Sequence, residues 1–309
     1  MPTTKKKKVV KEQKSHLPGK TEIETVSRNV HFINHRFLST SEDFWVLLTS
    51  DRHHDNPHCN QELEKKHLDE AVARNAVIVD YGDLFCAMQG KYDRRHSKDD
   101  IRPEHQAGNY LDRLIETAAE FYGPYADNFA IMGPGNHETA MLKHHETNLT
   151  ERLIDRINVA QGSEIKMGGY SGWVKFKFWY GKKTLKHDET GVGTGSQKCM
   201  ASVNLWYHHG YGGDAPVTKG TIQTSRQAVY VPDAHIVCTG HTHNEWIFPI
   251  TRIRLKDTGL IYHDEQLHLK TPGYKEEYED GYGGWHIERG GPPKPVSYTH
   301  LTLPTNREV

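Results

Sequence analysis

Three stretches decide the fold: Phe44–His53 (FWVLLTSDRH), Ala76–Asp83 (AVIVDYGD) and Asn128–Glu138 (NFAIMGPGNHE). Each opens as a short run of β-branched and aromatic residues, then breaks into a cluster of Asp, Gly, Asn or His. An apolar run of that length, bounded by turn residues, reads as a buried strand. Helical patterns lie between and after them. Gln61–Arg74 carries Leu63, Leu68, Ala71 and Val72 on one face. Tyr110–Tyr122 carries Leu111, Leu114, Ile115 and Ala118 until Gly123-Pro124 stops it, and Asn148–Asn158 is built on Leu149, Leu153, Ile154 and Ile157. Strands alternating with helices predict a sheet of parallel strands joined by crossover helices.

The character changes after Gly168. Trp173–Trp179 (WVKFKFW) alternates with a period of two, and Ala201–Tyr207 and Ala234–Thr239 are further strands. Trp246–Leu255 and Leu260–Lys270 form a hairpin around Lys256–Gly259. The glycine-rich patches Gly191–Gly195 and Gly281–Gly284 read as loops.

The 309 residues suffice for one large domain. With 39 Lys and Arg against 40 Asp and Glu, the net charge of −1 provides no global basic field to draw in nucleic acid or membrane. The 22 histidines are many for this length, and several sit beside Asp, Asn and Gly, which raises metal binding early. Cys59, Cys86, Cys199 and Cys238 form no C-x-x-C pair, which speaks against a zinc ribbon or a dithiol redox centre. No apolar run has the length of a membrane span, so a cytoplasmic protein is expected. Residues 1–28, starting with Lys5–Lys8, read as a disordered basic tail, and 29–295 as one domain. Val296–Thr305 (VSYTHLTLPT) resembles the in-frame translation of a sequencing-library adapter. Residues 296–309 are therefore expected to be a non-native tail on a C-terminally incomplete domain, with one sheet edge left open.

Each predicted strand runs into candidate ligands: Asp51-Arg52-His53, Gly82-Asp83, Gly135-Asn136-His137-Glu138, His208-His209-Gly210 and Gly240-His241-Thr242-His243. The carboxyl ends of parallel strands share one edge, where ligands gather. A pair of divalent ions wants a bridging carboxylate, hard oxygen donors and neutral imidazoles, which these residues supply. Asp51 and His53, two apart, would point the same way on extended backbone. A lone histidine at a strand end is more often a satisfied polar residue; five clusters in series argue for metal. Lys91, Arg94, Arg95 and Arg102 follow the second cluster, and a solvated loop explains them as well as a phosphate contact does. Tyr211 and Trp246 read as rim or core packing.

The ordered set D-x-H, G-D, G-N-H-E, H-G, G-H-T-H resembles the signature of the calcineurin-like metallophosphoesterases, and stretches such as FCAMQGKYD and GGWHIERGGPPKP resemble phosphoesterases of bacteriophage genomes. The resemblance implies a four-layer α-β-β-α sandwich, two mixed β-sheets flanked by helices. It implies two metal ions, manganese first, with iron or zinc as alternatives. Asp51, His53, Asp83 and His243 would hold one ion; Asp83, Asn136, His209 and His241 would hold the other. His137 would be the general acid that protonates the leaving group, oriented by Asp51, while a metal-activated hydroxide attacks phosphorus. His208 stays open as an alternative to His209. Many members have G-D-x-x-D where this chain has Cys86. A phosphodiesterase or nuclease acting on a nucleotide or nucleic acid is the expected function, in the host cytoplasm if the gene is phage-borne. A nucleotide or protein phosphomonoesterase and an idle metal-binding scaffold are the alternatives.

Overall fold

The computed structural model describes residues 15–39, 41–87, 101–106, 108–180, 199–213 and 217–276, then 278, 281–282, 285–288, 290–297 and 299–303. The expected loop at Gly191–Gly195, half of that at Gly281–Gly284, and Lys5–Lys8, Lys91, Arg94 and Arg95 lie outside the described residues.

The strand–helix alternation of the first half forms a five-stranded sheet. Its parallel strands are β3 (Phe44–Thr49), β4 (Val77–Asp80), β5 (Phe129–Met132) and the short β6 (Lys166–Met167). Helices α1 (Gln61–Ala73), α2 (Tyr110–Tyr122), α3 (Asn136–His145) and α4 (Leu149–Gln161) supply the crossovers. They share one face of this sheet: Leu68, Leu114, Met141 and Leu153 pack with Leu47, Ile78 and Phe129. Asn60 starts α1 and Asn148 starts α4 by accepting the backbone N–H groups of Leu63 and Glu151, which fixes where each helix begins. His144-His145 close α3.

The second half, joined by the first two strands of the chain, builds a seven-stranded mixed sheet in the order β1-β2-β7-β8-β9-β11-β10. It comprises β1 (Thr21–Ser27), β2 (Val30–Phe37), β7 (Ser171–Tyr180), β8 (Ala201–His208), β9 (Ile236–Thr239), β10 (Trp246–Leu255) and β11 (Ile261–Lys270). The expected hairpin is the β10–β11 pair, in register from Trp246↔Lys270 to Leu255↔Ile261. Inward residues of the two sheets meet in one core. Val46, Leu48, Val77 and Val79 on one side face Ile33, Val174, Phe176, Phe178, Leu205 and Cys238 on the other. A helix absent from the sequence reading, α5 (Thr221–Tyr230), and the turn after it cover the outer face near Trp206 and Val237. The result is the expected α-β-β-α sandwich of two mixed sheets with helices outside.

Two boundaries of the sequence reading are corrected. The disordered tail expected over 1–28 is too long: Leu17 is buried and Thr21–Ser27 pairs with β2, because alternate residues of β1 can form a ladder on the edge strand. The sheet edge expected to be left open does not lie beside β3. A strand β12 (Thr299–Leu303), in the segment set aside as tail, pairs antiparallel with it from Thr299↔Leu48 to Leu303↔Phe44. Among the described residues, no helix is long and apolar enough to cross a membrane.

Candidate metal centre

The carboxyl ends of β3, β4, β5, β8 and β9 come together at one edge of the sandwich, and a backbone lattice fixes their spacing. Asp51 N–H donates to Gly82 O at 2.8 Å, His53 N–H to Asp83 O at 3.0 Å, and Gly240 N–H to His209 O at 2.9 Å. Two glycines allow the closest approach. A β-carbon at Gly82 (φ +114°) would stand 2.4 Å from Gly135 N, and one at Gly135 would stand 2.1 Å from Asp83 Oδ1. Any side chain there would displace the carboxylate. Asp51 and His53 do not lie on extended backbone: their φ values are +54° and +46°. Left-handed turns, not strand alternation, aim both side chains inward. Asp83, His241 and His243 are also at positive φ.

The structure brings together all seven residues predicted as ligands, in two groups. Asp51, His53 and His243 have ligand atoms within 4.8 Å of one another, as do Asp83, His209 and His241. Asn136 Oδ1 lies 3.0 Å from His209 Nε2 and 2.7 Å from His241 Nδ1, which attaches it to the second group. His209 is fully buried. His208 is directed away, its Nδ1 accepting from Gly210 N–H and its ring beside Tyr170, Trp206 and Tyr211.

The donor atoms fit a cation. His209 Nδ1 donates to Tyr81 O at 3.1 Å, and His241 Nε2 donates to Gly212 O at 3.1 Å. The opposite ring nitrogen of each therefore carries a lone pair in the neutral form, and both lone pairs face Asn136 Oδ1. Asp83 Oδ2 is 3.1 Å from His209 Nε2, so acceptors meet acceptors. A backbone carbonyl that fixes the far nitrogen is the usual support for a ligating histidine. In the first group, His53 Nε2 and His243 Nε2 face each other at 3.2 Å. Asp51 Oδ1 and His53 Nδ1 are buried without a hydrogen-bond partner. An uncompensated buried acceptor is costly unless a cation sits among such atoms.

The electrostatics agree. Burial opposes charge on Asp51 and Asp83, but His243 and His209 respectively outweigh it and hold both carboxyls below the usual range. Burial also opposes charge on His209, yet Asp83 pushes it up to about 9, so a proton is drawn to where a metal ion would lie. Burial lowers His53 and His241, which favours the neutral imidazole that binds metal.

His137 stands at the mouth, in the first turn of α3. Its backbone N–H donates to Asp83 Oδ1 at 2.9 Å, and its Nε2 lies 3.8 Å from Asp83 Oδ2. Its orientation differs from the expectation. Nδ1 bonds the Cys86 carbonyl at 2.6 Å, while Asp51 Oδ2 accepts from Ser50 Oγ and from His241 N–H. The role foreseen for the Asp51 carboxylate thus falls to the main-chain oxygen of Cys86. Glu138 was not singled out by the sequence reading. Its carboxyl accepts from Gly135, Asp83 and Phe85 N–H, tying two ligand loops together, and burial pushes it up to about 8. Its place three residues after Gly135, where a capping-box carboxylate falls, was the available signal.

A second buried cluster lies next to the first. Arg52, fully buried, donates to Asp80 Oδ2 at 2.8 Å and to Glu64 Oε1 at 2.9 Å. Glu64 also accepts from Tyr122 and meets His54 Nδ1 at 2.9 Å. Burial would raise Glu64, but His54 and Arg52 outweigh it and draw the carboxyl down to about 2.

No family model matches the sequence, and no curated protein matches it. Among solved structures, a conserved uncharacterized protein of Streptococcus pneumoniae TIGR4, a predicted phosphoesterase, is similar over 85% of this chain and 84% of that one. The identity is 10% and the TM-score 0.31. So distant a likeness says nothing about activity.

Proposed function

We propose that this chain is a dinuclear-metal phosphoester hydrolase of the calcineurin-like kind, acting as a phosphodiesterase. One observation carries the reading: seven residues from five strand ends form two ligand groups, Asp51–His53–His243 and Asp83–His209–His241 with Asn136, tied together where His53 N–H donates to the Asp83 main-chain oxygen. Asp51, His53, Asp83 and His243 would hold one ion, and Asp83, Asn136, His209 and His241 the other. Mixed nitrogen and oxygen donors suit manganese, iron or zinc. When bound, such ions withdraw charge from phosphoryl oxygens and lower the pKa of water to near neutrality.

The chain's own residues do the rest. The Cys86 carbonyl engages His137 Nδ1–H, so the proton for a leaving alkoxide would come from Nε2, which lies 3.8 Å from Asp83 Oδ2. Glu138 and the glycine contacts hold Asp83 against drift, since a misplaced reacting group is costly in rate.

The test is hydrolysis of bis(4-nitrophenyl) phosphate by protein loaded with manganese, then stripped and reloaded. No turnover with any of manganese, iron or zinc would overturn the reading. His137→Ala should slow an alkyl phosphodiester about 10²–10⁴-fold and a nitrophenyl ester much less, because a good leaving group needs no proton. Equal losses on both esters would contradict the acid role.

A further inference from the structure

His208, next to the candidate ligand His209, turns away from both ligand groups, and its ring anchors an aromatic wall. Tyr170 meets it at 5.3 Å between ring centroids, Trp206 at 5.6 Å and Tyr211 at 5.7 Å, while Tyr230 closes on Trp206 at 6.2 Å. One end of the wall is fixed in the protein. Trp206 is buried, and Tyr170 packs edge-on against His209 and donates its hydroxyl to Gly210 O at 2.8 Å. The other end is open to solvent: Tyr211 is 46% exposed and Tyr230 55%.

Tyr211 is tied to the second ligand group from both directions along the chain. His209 lies two residues before it, and Gly212, directly after it, accepts from His241 Nε2 at 3.1 Å. Two residues span at most about 7 Å of backbone, the scale that separates phosphorus from base in a nucleotide. A phosphoryl group among the Asp83, His209 and His241 donors would therefore carry its ester group past this ring.

The ring is held in place before anything binds. Gln223 Nε2 donates to the Tyr211 carbonyl at 3.4 Å, the Tyr211 hydroxyl hydrogen-bonds that of Tyr230, and the His208 ring stands at 73° to it. A T-shaped contact engages at most one face of a ring, so a flat surface is left on a side chain that is already ordered. Stacking on such a ring costs little further ordering. Every nucleobase has a π-face, and a surface of this kind takes bases without reading their edges.

We infer that Tyr211 is a stacking platform for a nucleobase attached to the phosphoryl group at the metal centre. The inference rests on the phosphoesterase reading and names its substrate class: phosphoesters of nucleosides, in preference to phosphoesters that carry no base. Two sources present that chemistry, a free nucleotide and a nucleic-acid strand.

The experiment needs no turnover, which keeps its failure distinct from failure of the hydrolase assay. Full-length protein in chelator is titrated calorimetrically with thymidylate and with deoxyribose phosphate, which differ only in the base. Tetrathymidylate and an abasic strand of equal length form a second pair. Wild type should prefer the base-bearing member of a pair about fivefold or more, the low end of what base–aromatic stacking contributes. Tyr211→Ala should abolish that preference and leave affinity for the base-free ligand unchanged, which also reports that the variant is folded. Tyr211→Phe, which keeps the ring and loses the hydroxyl, should retain the preference. A preference seen with thymidylate shows that a free nucleotide suffices; one confined to the tetramers assigns the base to a strand. Absence of binding by wild type, equal binding within both pairs, a preference that survives Tyr211→Ala, or its loss in Tyr211→Phe would overturn the inference.

Discussion

Two buried clusters of the same residue types lie side by side, and they differ in what closes them. Around Arg52, the guanidinium sits between Asp80 and Glu64, so the carboxylates find their cation within the chain. Around Asp83, the carboxylates meet imidazoles, main-chain N–H groups and the Ser50 hydroxyl but no guanidinium or ammonium, ring nitrogens face one another, and Asp51 Oδ1 and His53 Nδ1 have no hydrogen-bond partner. Spacing alone does not separate the two, for His54, Cys59 and Glu64 also have ligand atoms within 4.8 Å of one another. Charge balance does. A group of donors already holding a guanidinium is structural, and one that lacks an internal cation is a place for an external one.

The comparison can be broken at its largest difference first. Asp83→Asn removes the carboxylate proposed to serve both ions, so metal analysis should show occupancy falling from about two ions to less than one, with kcat/KM lower by about 10³-fold or more. Two tightly held ions in that variant would mean that Asp83 does not bridge. Arg52→Met opens the closed cluster instead. Two carboxylates lose their cation, which should cost about 3–5 kcal/mol in urea unfolding. A loss below about 1 kcal/mol would show that the cluster is not held by its guanidinium.

A smaller effect sharpens the same contrast through pH. Glu64 is drawn below its ordinary value to about 2, so the folded state binds its proton less readily than the unfolded state. The stability it contributes is present above the unfolded value of 4.5 and is lost as pH falls toward 2. Wild type should therefore exceed Glu64→Gln by about 1–3 kcal/mol at pH 6, a gap that narrows steadily below about pH 4.5. A gap independent of pH would place the stabilisation in packing rather than charge.

The sequence reading found what side chains announce. β3, α2 and the β10–β11 hairpin appear within a residue of their expected bounds, since apolar runs and period-two or period-3.6 patterns reflect burial directly. The seven candidate ligands were legible because each follows a strand. What was missed lacks such a mark. Helix α5 buries only Thr224 and Gln227 among its residues, so no apolar stripe reveals it. β1 buries a single threonine, and β2 carries polar and histidine residues among its apolar ones. The partners that orient the ligands are main-chain oxygens of Tyr81, Cys86 and Gly212, and a carbonyl has no residue type to read.

The left-handed backbone at Asp51, His53, Asp83, His241 and His243 has a consequence for how far this centre can change. Each such residue without a glycine's freedom strains the main chain by about 1 kcal/mol, and five together amount to a sizeable part of a domain's net stability. Glycine at any of them would relax the chain and remove a ligand at once. The most comfortable sequence for this fold is therefore not the one that binds ions, and selection for stability alone would tend to erode the centre one ligand at a time.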